Sequence, residues 1–112
     1  MTGSIAFKFD QQSGGDRREI GRDEVSYRTR ATAPGGFTAL LHVVNVSAAG
    51  FMARCEHELV PGEKLTVVLP VVGTVPAEVK WALGGRIGCQ FDRAIDLAPY
   101  LGLLAEMVKQ SR

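Results

Sequence analysis

The sequence predicts a mainly β protein: a small six-stranded antiparallel β-barrel with one carboxy-terminal amphipathic α-helix. Two observations support this prediction. Six short apolar or alternating segments follow one another between residues 25 and 92, separated by turns that contain Gly, Pro or Ser. After Asp92 the spacing of apolar residues changes from that of a strand to that of a helix. With 112 residues, the chain fits one domain that has its own core.

The predicted strands are short, and most of them alternate between apolar and polar residues. They cover residues 25–33, 37–46, 51–57, 65–72, 74–83 and 86–92. The second is the most apolar and is predicted to be central in its sheet, whereas Pro76 indicates an edge or a bulge in the fifth. The residues that alternation predicts to face inward in the last two strands are Val75, Ala77, Val79, Trp81, Leu83, Ile87, Cys89 and Phe91.

The last predicted element is a helix that begins after Asp96, a good N-cap residue. Pro99 falls in its first turn, where a missing N–H costs little. The helix is predicted to plug or cap the barrel through one apolar stripe. This stripe consists of Leu97, Tyr100, Leu101, Leu104, Met107 and Val108.

The composition is that of a globular protein, with 46% hydrophobic and 22% charged residues. No apolar run is long enough to span a bilayer, and the first residues do not resemble a secretory signal, so we expect a cytoplasmic protein without membrane insertion. The formal net charge of +1 gives no broad field that would attract a nucleic acid polymer or anionic lipid. Any site for an anion is therefore expected to be local.

The sequence offers little for catalysis or for a cofactor. No Ser/His/acid or Cys/His spacing stands out, and no Gly-rich loop opens a helix, so we expect no enzyme and no catalytic residue. His42 is predicted to be structural and His57 to lie at the surface. Cys55 and Cys89 fall in alternating apolar stretches and are predicted to be small core residues. We expect no metal site, because Cys55 and His57 lack a second pair of ligands.

An arginine-rich segment, GGDRREIGRDE, precedes the first predicted strand and contains Arg17, Arg18 and Arg22. Taken alone, such a charged run is usually solvated surface. Arginine can, however, hold a phosphate with two hydrogen bonds while its flat face stacks on a base. Arg18 and Arg22, four residues apart, could therefore close from two sides on a flat, doubly charged ligand.

The turn NVSAAGF after the second predicted strand offers a complementary set of polar groups. Asn45 and Ser47 alternate on one side of the strand end, so an amide and a hydroxyl can point to the same place. Gly50 allows a positive φ or a close backbone approach that a Cβ would block. Taken alone, this stretch is also a passable hairpin turn.

In combination, the two segments resemble the PilZ domain family. Its pattern is Arg-x-x-x-Arg followed some 20 to 30 residues later by Asp/Asn-x-Ser-x-x-Gly, and here 22 residues separate Arg22 from Asn45. The resemblance covers about residues 17–108. It includes LVPGEKLTVVLP, the closing hairpin AEVKWALGGRIGCQFD, in which the family often has a Trp before the loop, and the final helix.

The resemblance implies a receptor that binds cyclic di-GMP, a bacterial second messenger, without transforming it. Arg18 and Arg22 would contact the phosphates and guanines, and Arg17 would add a further guanidinium group. Asn45 and Ser47 would meet a guanine edge, and Gly50 would shape the turn beneath it. The implied ligand-binding set is Arg17, Arg18, Arg22, Asn45, Ser47 and Gly50.

We further expect a flexible amino-terminal segment, residues 1–16, followed by the domain, residues 17–112. The arginine segment would become ordered over the ligand, and the signal would pass by contact with an unidentified effector protein. Two alternatives stay open. The first is a degenerate PilZ-like interaction module that does not bind the nucleotide, and the second is a barrel that binds single-stranded nucleic acid.

Overall fold

The computed structural model describes residues 22–110, which form six strands and one helix in the predicted arrangement. The elements are β1 (Asp23–Thr32), β2 (Thr38–Val46), β3 (Gly50–Cys55), β4 (Lys64–Leu69), β5 (Gly73–Leu83), β6 (Arg86–Phe91) and α1 (Leu97–Gln110). The strands make a closed antiparallel barrel in the order β1-β2-β3-β6-β5-β4. The predicted fold is therefore confirmed. The predicted flexible segment, residues 1–16, lies outside the described residues.

The barrel closes where the end of β1 meets β4. Ala31 lies opposite Val67 and Thr32 lies opposite Thr66. Closure removes the open edges that an isolated sheet would present. Pro76 lies just outside the ladder between β5 and β6, which begins at the next residue, so its missing N–H costs least there.

The interior of the barrel is apolar, and no polar or charged residue among the described ones is buried. It is built mainly by the inward-facing residues of the alternating strands, with Val43, Ala53 and Val79 wholly inaccessible to solvent. Cys55 and Cys89 are free thiols in this core, as predicted. The half-buried His42 lies on the outer face, with its Nε2 2.7 Å from the Ser26 hydroxyl oxygen.

A β-bulge in β5 overturns part of the predicted alternation. Val79 lies opposite Cys89 and Trp81 lies opposite Gly88, which leaves Lys80 as an extra residue. An extra residue shifts every later side chain to the other face of the strand. Trp81 and Leu83, which were predicted to face inward, are therefore 41% and 80% exposed.

Helix α1 buries a narrower face than its sequence predicts. Its buried residues are Tyr100, Leu103 and Met107, so the prediction was wrong for Leu97, Leu101 and Val108, which are exposed. The Tyr100 hydroxyl sets the rotation of the helix, because it donates its proton to the Asp23 carboxylate at 2.6 Å and lies 3.1 Å from the Val46 carbonyl oxygen. The helix thus caps one end of the barrel. Nowhere in residues 22–110 is a helix both long and apolar enough to cross a membrane.

The Tyr100→Phe variant should be less stable, since it removes a hydroxyl that donates to the Asp23 carboxylate. We expect the free energy of unfolding at pH 7 to fall by about 1 to 3 kcal/mol. Burial, followed by the bond to Asp23, raises the pKa of Tyr100. An unfolded tyrosine titrates near pH 10, so above about that pH the folded chain retains a proton that the unfolded chain loses. Stability should consequently decrease as pH rises, and less so in the variant.

Urea titrations of both proteins between pH 7 and 11 measure this difference. Thiols also titrate in that range, but they are common to the two proteins and cancel in the comparison. Equal losses of stability at high pH in both proteins would contradict the role given to Tyr100.

Candidate functional site

The turn between β2 and β3 is held by its own polar groups. The Ser47 N–H donates to the Gly50 carbonyl at 2.8 Å, and the Ala49 N–H donates to the Ser47 hydroxyl at 3.1 Å. The second bond is the local type that serine and threonine favour in turns. Ser47 therefore has one lone pair of its hydroxyl engaged, and its hydroxyl proton can still be donated to a ligand.

The same turn is fixed to the end of β6. The Phe91 N–H donates to the Ala49 carbonyl at 2.8 Å, and the Ile95 N–H donates to the Ala48 carbonyl at 2.9 Å. A Cβ on Gly50 would lie 2.1 Å from the carbonyl oxygen of Cys89. Gly50 is not among the glycines with a positive φ. Of the two predicted reasons for a glycine here, close backbone approach is the correct one.

One arginine of the predicted set falls within the described residues and meets the turn. The Arg22 Nη2 donates to the Asn45 Oδ1 at 2.9 Å, although Asn45 comes 23 positions later in the sequence. Antiparallel pairing explains this contact, because Asp23 at the start of β1 lies opposite Val46 at the end of β2. Arg17 and Arg18 lie outside the described residues.

A groove of about 200 Å³ lies beside this pair on the outside of the barrel. Its lining includes three of the predicted residues, namely Arg22, Ser47 and Gly50. Asn45 does not line the groove, but its side chain accepts a hydrogen bond from Arg22, which does. The other lining residues are Ala49, Phe51, Lys80, Trp81, Gly88, Cys89 and Gln90.

Lys80, Trp81 and Gln90 line the groove although no sequence motif pointed to them, and the bulge in β5 explains the first two. It brings Lys80 and Trp81 to the outside of the barrel at the same level as the turn. A Cβ on Gly88 would lie 2.1 Å from the Trp81 Nε1, so the indole rests directly on this glycine. The sequence held one signal for this arrangement: a glycine inside a strand often marks a close approach by another group.

The charges of the groove favour an anion. Two cations, Arg22 and Lys80, line it, and no acidic residue is in its described lining. Lys80 is 3.6 Å from a Glu78 carboxylate oxygen, an exposed pair that is worth little and is easily replaced. Burial raises the pKa of the Cys89 thiol to about 12, so this group stays neutral. In residues 22–110, the structure places no three His, Cys, Asp or Glu side chains together as a metal site.

The fold and the site define a class of protein: a small antiparallel barrel with a groove on its outer face that two cations line. The sequence model of the PilZ domain matches residues 16–110, and the chain belongs to this family of cyclic di-GMP receptors. A search of solved structures finds the PilZ domain of CeSA from a cellulose-synthesizing bacterium, with a TM-score of 0.56 and 13% sequence identity. The match covers 81% of this chain and 98% of that domain. No curated protein matches the chain.

Proposed function

We propose that this domain is a receptor for cyclic di-GMP and signals by contact with another protein. The observation that supports this most is the bond between Arg22 and Asn45 at the rim of the groove. It joins the last arginine of one family motif to the first residue of the other. A guanidinium group and an amide are thus held together without a ligand, so less orientation entropy is lost when a ligand binds.

The chemistry of the groove suggests how the ligand is recognised. Arg22 can exchange its bond to the neutral Asn45 amide for stronger, charge-assisted bonds to a phosphate. This exchange would free the Asn45 oxygen to accept a hydrogen bond from a guanine edge. The Ser47 hydroxyl can also form a hydrogen bond with that edge. Trp81, which is 41% exposed, offers an aromatic surface for stacking on a base.

The segment before β1 completes the proposal. Arg17 and Arg18 precede Arg22 by a few residues, so they can reach a ligand that Arg22 contacts. Ordering of this segment over the nucleotide would change the surface that the domain presents to an effector protein in the cytoplasm. The binding energy must exceed the entropy lost by the segment.

Isothermal titration calorimetry with cyclic di-GMP tests the proposal. Wild-type protein at tens of micromolar should show saturable binding, and Arg22→Ala should weaken it by about tenfold or more, since it loses charge-assisted bonds. Arg30→Ala is the matched control, because Arg30 is an exposed arginine near the far end of the same strand. Its affinity should equal that of the wild type.

The fluorescence of Trp81 gives a second readout, because this is the only tryptophan in the chain. Stacking of a guanine on its indole should quench the emission in proportion to the heat measured by calorimetry. A flat titration with unchanged fluorescence would refute nucleotide binding and favour the interaction module that lacks a ligand.

A further inference from the structure

A row of basic side chains crosses the outer face of the barrel, away from the groove. Arg28 on β1 lies opposite His42 on β2, His42 lies opposite Arg54 on β3, and Arg54 lies opposite Arg86 on β6. Residues opposite each other in antiparallel strands point to the same face. Arg30, two residues after Arg28, lies on this face as well. We call these five residues the basic row.

The arginines of the basic row have no acidic partner in the part of the chain that the structure describes. Arg28, Arg30, Arg54 and Arg86 are exposed and take part in no ion pair there. The lysines of the same part behave differently, because each has a carboxylate oxygen within 4 Å. They are Lys64, Lys80 and Lys109.

This arrangement costs stability in the isolated domain. Neighbouring strands are about 4.8 Å apart, and like charges directly opposite each other destabilise a sheet. Arg54 and Arg86 are such a pair. Since no ion pair among the described residues offsets the repulsion, we propose that the basic row is a docking surface for an acidic segment of another protein.

The spacing of the basic row fits a helix better than an extended strand. The row runs across the strands, with steps of about 4.8 Å. Carboxylates three or four residues apart on a helix are separated by about 4.5 to 6 Å along its axis. Alternate residues of an extended strand are nearly 7 Å apart. A helix with one acidic stripe, laid across β1, β2, β3 and β6, can therefore place a carboxylate near each cation.

The neighbours of the row favour a protein over a uniformly anionic partner. Leu40, opposite Arg30, is 69% exposed, and Leu83, opposite Arg86, is 80% exposed. Glu56 lies two residues beyond Arg54 and is exposed. A membrane surface or a nucleic acid would bring phosphates against this carboxylate, whereas a protein segment can present an apolar or basic residue there.

The basic row is separate from the proposed nucleotide groove. Met52 and Gly88 pair beside the groove. Arg54 follows Met52 by two residues and Arg86 precedes Gly88 by two, so the pair Arg54–Arg86 lies further from the groove. None of the five residues of the row lines the groove. Docking on the row can therefore be measured without the nucleotide, and it does not depend on the proposed function.

The test uses a labelled alanine-based helical peptide with glutamates at positions i, i+4, i+7 and i+11. A control peptide has the same composition with its glutamates spread around the helix. Fluorescence anisotropy in low salt should show tighter binding of the striped peptide, and Arg28→Gln/Arg54→Gln should weaken it by about tenfold. Arg93→Gln, which removes an exposed arginine outside the row, should leave the affinity unchanged.

Two further measurements make the proposal refutable. In low salt, Arg54→Gln alone should raise the urea midpoint of unfolding, because it relieves repulsion in the free protein. Equal affinity for both peptides, or a lowered midpoint, would overturn the proposal. So would binding to phosphatidylserine vesicles or to a single-stranded oligonucleotide that exceeds binding to the striped peptide. A loss of cyclic di-GMP affinity in Arg54→Gln would instead assign the row to the nucleotide site.

Discussion

Replacement of Gly50 by alanine is expected to unfold the domain or to separate β3 from β6 at the site. The new methyl group would lie 2.1 Å from the Cys89 carbonyl oxygen and 3.1 Å from its carbonyl carbon. These are backbone atoms of the paired strand and cannot rotate away as a side chain could. We expect the free energy of unfolding to fall by about 3 kcal/mol or more, at the upper end for an overpacked position.

Chemical denaturation measures this loss, and Gly102→Ala is the matched control. Gly102 lies within α1, where an added methyl group would be 3.4 Å from a Val71 side-chain carbon, at the edge of ordinary contact. Alanine is favoured over glycine in a helix by about 1 kcal/mol, so this variant should be as stable as the wild type or more so. If Gly50→Ala were as stable as the wild type, β3 and β6 would have room for a methyl group at this position, which would contradict the close approach of Gly50 to Cys89.

Replacement of Gly88 by alanine is expected to displace the Trp81 indole from its place beside the groove. The added methyl group would meet three atoms of the indole, the nearest at 2.1 Å. Because this neighbour is a side chain, it can move, and we expect a smaller loss of stability, about 1 to 3 kcal/mol. The accompanying change is a shift in the emission of Trp81 as its surroundings change.

A double-mutant cycle separates the clash from other effects of Gly88→Ala. In the Trp81→Ala background the atoms that would collide are absent, so the same substitution should cost little. The coupling energy between positions 81 and 88 should equal most of the cost of Gly88→Ala alone. Additive losses would mean that the indole does not rest on Gly88.

The strands and the barrel could be predicted from the sequence because each strand has one face in a dry core. Phe51, Ala53 and Cys55 alternate without interruption, and all three are buried as predicted. This signal fails where the backbone departs from regular pairing. Pro76 indicated an edge or a bulge in this strand, but the position of the bulge between Val79 and Trp81 could not be predicted, since it depends on which residues of β6 lie opposite them.

The helix shows a second limit of the sequence. Its apolar residues extend around more of its surface than one barrel end can cover, so the pattern alone did not determine which side is buried. The bonds of Tyr100 to Asp23 and Val46, 77 and 54 residues away, determine it in the folded protein. Contacts at such separations have no local signature in the chain.

The site was predictable to a different extent for each of its residues. The resemblance to PilZ domains singled out Asn45, Ser47 and Gly50, and the fold places them with Arg22 at one end of the barrel. Their binding of a nucleotide stays a prediction, as do the roles of Arg17 and Arg18. Lys80, Trp81 and Gln90 could not be assigned from the motifs, because their place in the groove depends on the bulge and on the pairing of β5 with β6.

The residues at the groove come from two separate β-hairpins. Arg22 and Asn45 border a single hairpin, β1–β2, whereas Trp81 and Gly88 belong to another, β5–β6. Each pair forms through contacts between strands that are adjacent in sequence, and β3 brings the two hairpins together. Under the proposed function, a mutation in β5–β6 would alter the surface for base stacking without disturbing the contact between Arg22 and Asn45. Related domains would then be able to change the base they prefer while they keep the arginine that holds the phosphate.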